Sequence, residues 1–347
     1  VRNFLKLNNV RRHIVIYSFL ALGFLLKEIG AAFDVSYHFK YFREFYQMPH
    51  IINGAGDMLV VAMFLYLWYC EPSAARKQLN IIWQGLLVFI LGIVFDQWYH
   101  STFGVDLTTW SPAHITLYLG SLMATVGAAL YVSRDYRHGH ISSAVKKFYC
   151  LFFFVSIFSS FWFMLVQPEQ AVVADYYLKH GVQIADPELL AAFFRTHANV
   201  YAGLPDWLYG AWAVMSIVLV FHLIKRLKFY AFDATIVATA YVAFRYVMNT
   251  LFIGIHYPTS TVPYFLLYIS FLFDIIYMAL KEKPLIRDIA SSAMVLAGVV
   301  SMGFIVTPFP IHPSIPVIQT LILAIPSACM GYFIALWFYN KLFHKYI

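Results

Sequence analysis

Two stretches of the chain carry the same set of ligand-type side chains. Residues 33–50 read FDVSYHFKYFREFYQMPH and residues 95–114 read FDQWYHSTFGVDLTTWSPAH. Each contains Phe-Asp-x-x-Tyr-His, a short irregular stretch, and a Pro within two residues of a second His. The shared skeleton is Asp34, His38 and His50 in the first and Asp96, His100 and His114 in the second. One carboxylate with two imidazoles is ligand chemistry for a transition metal. The set suits copper, zinc, iron or manganese, and no thiolate narrows the choice. Asp and His four residues apart lie one turn apart on one helix face, and a reversing loop returns the later His to them. Three protein ligands leave a position open, as in catalytic rather than closed structural sites. The same residue types also cap helices or bond one another across a loop, and duplication copies a structural motif as readily as a metal site.

The elements that must position these residues are membrane helices. Hydrophobic residues make up 61% of the 347 and charged residues 12%, about half the charged share of a soluble domain. Mean hydropathy is +0.70. Apolar runs of about 20 residues recur, long enough to cross about 30 Å of hydrocarbon. The chain therefore reads as all-α, a polytopic integral membrane bundle of about ten transmembrane helices in a single domain, 1–347. The expected spans are 14–33, 51–70, 81–102, 113–133, 147–167, 199–224, 229–251, 262–281, 288–307 and 317–339. The runs do not alternate as barrel strands do. Without a cleavable signal pattern, the first apolar run is expected to stay as an anchor. Three scattered cysteines form no zinc or haem-attachment spacing.

The spans read as repeated helical hairpins, clearest for 14–70 and 81–133. An odd helix ends in Asp-x3-His, a loop follows, and Pro opens the even helix, where its missing N–H costs nothing. Asp34 and Asp96 are 62 residues apart, a plausible repeat period. The segments around His197, Pro263 and His312 read as eroded copies. Residues 168–198 read as an exoplasmic loop or cap with a short helix at 187–195.

Eighteen of the 24 Lys and Arg fall on one side of this ten-helix arrangement, in the N-terminal segment, the loops after even helices and the C-terminus. The positive-inside rule then places both termini in the cytoplasm and both triplets at the exoplasmic face. Bases confined to short membrane-flanking loops give no nucleic-acid surface. Lipid is the expected environment, and other membrane subunits are possible partners. His138 and His140 read as solvated, and His13, His222 and His344 as interfacial.

Lys27, Glu28, Asp57, Asp206, Asp233, Arg245 and Asp274 fall inside or at the ends of apolar spans, where ionisable groups pair and face the bundle interior. Lys27 with Asp57 and Arg245 with Asp274 are the expected pairs, either as packing staples or as part of a proton or substrate path. Asp57, two turns from His50 on the same face, is the best candidate for a supporting or proton-relay role. Tyr37, Tyr41, Tyr46, Trp98, Tyr99 and Trp110 surround the ligand set and would exclude water from it.

Asp96-x3-His100-x13-His114, with Asp106 and Trp110-Ser111-Pro112 before the last His, resembles the metal-binding signature in the C subunit of the copper membrane monooxygenases, the particulate methane and ammonia monooxygenases. There the pattern is Asp-x3-His-x12-His with an aromatic and Ser/Thr-Pro before the final His. The resemblance implies Asp96, His100 and His114 as copper ligands near one membrane face, and oxidation of small apolar or weakly polar molecules. By the internal repeat, Asp34, His38 and His50 form a second set. About 20 residues carry the likeness. The chain departs from that subunit in having more helices, one extra loop residue and a second triplet, and it has no cupredoxin domain. Haem is disfavoured, because Gly104, Asp106 and Pro112 interrupt any helix joining His100 to His114. The functional expectation is a copper-dependent, monooxygenase- or oxidase-like membrane protein, with iron or zinc as alternative metals and no catalytic residue assigned. The alternatives are a transporter or channel using the intramembrane charges, and a non-catalytic scaffold subunit of a membrane complex.

Overall fold

The computed structural model describes residues 9–38, 47–71, 76–103, 111–179, 206–227, 229–255, 257, 262–302 and 317–344. These residues form ten α-helices and no strand: α1 (Asn9–His38), α2 (Met48–Cys70), α3 (Arg76–Phe103), α4 (Pro112–Arg137), α5 (Ser143–Lys179), α6 (Asp206–Leu227), α7 (Asp233–Gly254), α8 (Phe265–Ala279), α9 (Pro284–Met302) and α10 (Val317–Phe338), the last continued by a π turn, Tyr339–Phe343. Eight of them, all but α8 and α9, are long and apolar enough to cross a membrane. In hydrocarbon a helix satisfies its own backbone groups, and the chain is a multi-pass, all-helical membrane protein in contact with lipid.

The count of ten crossing helices is the point where the sequence expectation is only partly met. The apolar part of α8 is 15 residues, short for a perpendicular span. A second difference concerns α5. Its backbone stays helical through Lys179, past Pro168, so the first third of the expected 168–198 cap is helix. The short helix expected at 187–195 lies outside the described residues.

α1 packs along α2 and α5, α3 along α4, α4 along α5, α6 along α10, and α8 against α7 and α9. The core is centred on α5, α6 and α7, where Phe153, Phe154, Phe158, Trp162, Phe221 and Tyr241 are fully buried. α2 and α3 turn large apolar groups outward, including Met58, Tyr69 and Val94. With lipid as the solvent this is the lower-energy arrangement.

Within the first two helix pairs, glycines set the distance between backbones. A Cβ on Gly56 would stand 2.6 Å from the Gly23 carbonyl oxygen, and one on Gly30 would stand 2.7 Å from the Asn53 backbone nitrogen. In the second pair, a Cβ on Gly85 would overlap the Ala124 backbone nitrogen, and one on Gly120 the Phe89 backbone nitrogen. Small residues let membrane helices approach this closely, gaining dispersion where no hydrophobic drive exists. Gly23 and Gly30 precede Gly85 and Gly92 by 62 residues, the Asp34–Asp96 offset. Gly56 precedes Gly120 by 64, the His50–His114 offset.

Candidate functional site

The start of α1 meets the ends of α2 and α4. Arg12 Nη2 lies 2.9 Å from Glu71 Oε1, and Arg134 Nη1 lies 3.8 Å from Glu71 Oε2. The other ends of α1, α2, α3 and α4 therefore share the opposite side of the bundle, and the end of α7 joins them through Phe252, stacked on Phe33. Asp34, His50, Asp96 and His114 lie at this side.

Asp34 sits in the last turns of α1, and His50 in the first turn of α2, where Pro49 fixes the helix start. His50 Nε2 lies 2.8 Å from Asp34 Oδ1. Asp96 and His114 repeat the arrangement on α3 and α4, with Nε2 3.4 Å from Oδ1. The Ser111 side chain caps α4 by accepting from the His114 backbone N–H at 3.1 Å. The loop reversal expected from sequence thus brings carboxylate and imidazole together in each pair. His38 and His100 continue their helices one turn beyond the carboxylates, and their side chains lie outside the described residues, as do Asp106 and Trp110. Tyr37 rests against Phe33 and Tyr257, and Tyr99 meets the Phe95 ring edge-on. These aromatics wall the ends of α1 and α3.

Deeper in α1, Lys27 and Glu28 diverge as neighbours on a helix must. The Lys27 ammonium bonds Asp57 of α2 and lies over the Phe89 ring, 3.3 Å from its centroid. Glu28 turns to α5, where its carboxylate accepts from Ser156 at 2.8 Å and Ser159 at 2.5 Å. Asp57 is therefore an ion-pair partner of Lys27, the pairing expected from sequence. The other expected pair does not form. Asp274 of α8 is fully buried and binds Lys225 of α6 at 2.7 Å. It also accepts from the Thr235 backbone N–H at 2.9 Å and hydroxyl at 2.7 Å. Lys225 reaches it because its long stem spans from the end of α6 to α8, and Arg245 is left deep in the bundle, 3% exposed.

At the opposite side the structure gathers a group that the sequence reading left apart. His13, Asp135 and His140 place one ligand atom each within 4.8 Å of one another, close enough to hold a metal ion. His13 and Asp135 are buried. Asp135 is nevertheless well supplied with donors: Tyr17 at 2.5 Å, His13 Nδ1 at 3.2 Å and Arg134 at 2.7 Å. A guanidinium already on the carboxylate opposes a second cation there. His222 is likewise buried and bonds the Ser292 hydroxyl at 2.9 Å. Neither burial could be seen from sequence, because each depends on which helix packs beside it.

Comparison with models of protein families, with curated proteins and with solved structures yields no match to this chain.

Proposed function

We propose that the protein is a membrane metalloprotein whose metal site is built by the repeated hairpins α1–α2 and α3–α4, with Asp34, His38, His50, Asp96, His100 and His114 as the ligand set. The observation that carries this reading is the meeting of Asp with the later His in both hairpins. Two ligand atoms at about 2.0–2.1 Å from one tetrahedral ion stand roughly 3.3 Å apart. Asp96 and His114, at 3.4 Å, match that separation, whereas Asp34 and His50, at 2.8 Å, have hydrogen-bond spacing. The glycine pairs sharing the offsets of the ligand residues support a duplication of the whole hairpin. The site lies on the exoplasmic side if the basic loops are cytoplasmic.

Copper is the proposed metal, by the resemblance of the second triplet to the copper membrane monooxygenases, with iron and zinc as alternatives. Bound copper would supply oxygen chemistry at the open position, in a monooxygenase- or oxidase-like enzyme or a subunit of one. The chain's own contribution is to orient His50 and His114 from first helical turns opened by Pro49 and Pro112, the second also capped by Ser111, and to exclude water with Tyr37 and Tyr99.

Elemental mass spectrometry of the protein purified in detergent, beside a His100→Ala/His114→Ala variant, tests this. One or two coppers per chain, lost at least in part in the variant, is the expected result. No metal in the unaltered protein after reconstitution with copper, iron and zinc would overturn the reading.

A further inference from the structure

Arg245 lies at the centre of α7, nine residues before its end. Its Nε and Nη1 are buried and have no hydrogen-bond partner among the described residues. A guanidinium stays charged and offers five donors. Such a group inside a membrane bundle needs an acceptor. Arg245 acts electrostatically on Glu28 of α1, whose carboxylate accepts from two serines of α5 and from no atom of Arg245.

Further unmatched polar atoms lie around the same helices. Trp162 of α5, three residues past Ser159, is fully buried, and its Nε1 has no partner among the described residues. Its ring meets Tyr241 of α7, with centroids 6.2 Å apart. Tyr241 stands one turn before Arg245 on the same helix face. Asn249 stands one turn after it, and its buried Oδ1 has no partner among the described residues. Phe158 and Phe265 wall the region by packing on Tyr241 and Trp162, at 5.1 Å and 6.1 Å between centroids. α5 and α7 thus carry three buried N–H donors without a partner among the described residues, two of them on the Arg245 guanidinium, and one such carbonyl acceptor, in apolar surroundings.

We propose that Arg245, where α7 approaches α1 and α5, is the charged anchor of a binding site for a small carboxylate, with Trp162 as a second donor. The unfilled Asn249 carbonyl and the neighbouring Glu28 favour a ligand that also carries a hydrogen-bond donor, as a hydroxy acid or an amino acid does. Charge balance favours the amino acid over the hydroxy acid. Lys27, Asp57, Glu28 and Arg245 sum to zero, so a ligand bearing its own ammonium adds no net charge to the interior. The site is distinct from the ligand residues at the hairpin ends and does not depend on a metal.

Equilibrium binding of radiolabelled acetate, lactate and glycine to the purified full chain tests this, with and without EDTA. Saturable binding of at least one probe, one per chain, unaffected by EDTA, is expected, with lactate or glycine tighter than acetate. Arg245→Met should weaken it at least tenfold and Trp162→Phe several-fold. Trp162→Phe keeps the ring and the fold, so it reads the contact even if the Arg245 variant folds poorly. No saturable binding of any of the three probes, loss of binding with EDTA, or equal binding in both variants would overturn the proposal.

Discussion

The hairpins α1–α2 and α3–α4 agree at the positions that set backbone distance and ligand geometry, and differ in what lies between. Gly23, Gly30, Asp34, His50 and Gly56 have counterparts in Gly85, Gly92, Asp96, His114 and Gly120. Lys27, Glu28 and Asp57 correspond to Phe89, Ile90 and Ser121. Intramembrane charge thus belongs to the first hairpin only. The packing gives the reason. α1 leans on α5, where Ser156 and Ser159 donate to Glu28, while the face of α3 carrying Ile90 is exposed to lipid. The Lys27 ammonium even lies on Phe89, its own counterpart in the second hairpin. The first hairpin carries its charges on the side where α2 and α5 supply partners for them.

The largest effect is expected from breaking that difference halfway. Lys27→Met leaves Asp57 buried without its cation, and such losses cost about 3–5 kcal/mol. Lys27→Met/Asp57→Ser, which makes the first hairpin resemble the second at both positions, should recover most of it, because an apolar replacement for a buried pair is often near neutral. Unfolding of the single and double variants in mixed micelles measures the difference. Equal losses in the two would show that the pair is not coupled.

A smaller effect separates the glycines. Gly85→Ala or Gly120→Ala drives a methyl into partner backbone, and overpacking of this kind costs about 1–3 kcal/mol. Gly23→Ala should be milder, since its methyl first meets the Val60 side chain, at 2.7 Å. Gly54 has open space around its Cβ position, and Gly54→Ala should stabilise α2 by up to about 1 kcal/mol through helix propensity. The same unfolding measurement ranks the four. A uniform response across them would refute close helix packing as the role of these glycines.

Much of this architecture is legible in the chain. Uninterrupted apolar runs mark the helices, and repeated Asp and His at matched offsets mark the two turns that bring Asp34 to His50 and Asp96 to His114. The matching glycines are equally present in sequence, yet a glycine in a membrane helix gains meaning only when its facing backbone is known. Pairing between distant helices was the least legible. Arg245 and Asp274 sit on consecutive helices and look like partners, but Lys225 reaches Asp274 from α6. The expected span ends at 167, whereas the helix continues past Pro168 to Lys179, as membrane bundles allow by satisfying the backbone groups that a proline frees.

The smallest effect concerns the two helix starts. Ser111 caps α4 through the backbone N–H of His114 itself, so the cap and the proposed ligand share one residue. Its counterpart Gln47 makes no side-chain cap on α2. Ser111→Ala should cost about 1 kcal/mol, and Gln47→Ser should gain a similar amount. The pair of variants also sharpens the difference between the Asp–His contacts, because loosening the first turn of α4 should lower metal occupancy without removing any ligand. Thermal unfolding and metal content, measured on both variants, would show the two changes moving in opposite directions. If Ser111→Ala leaves both unchanged, the cap does not hold His114 in place, and the 3.4 Å spacing owes nothing to it.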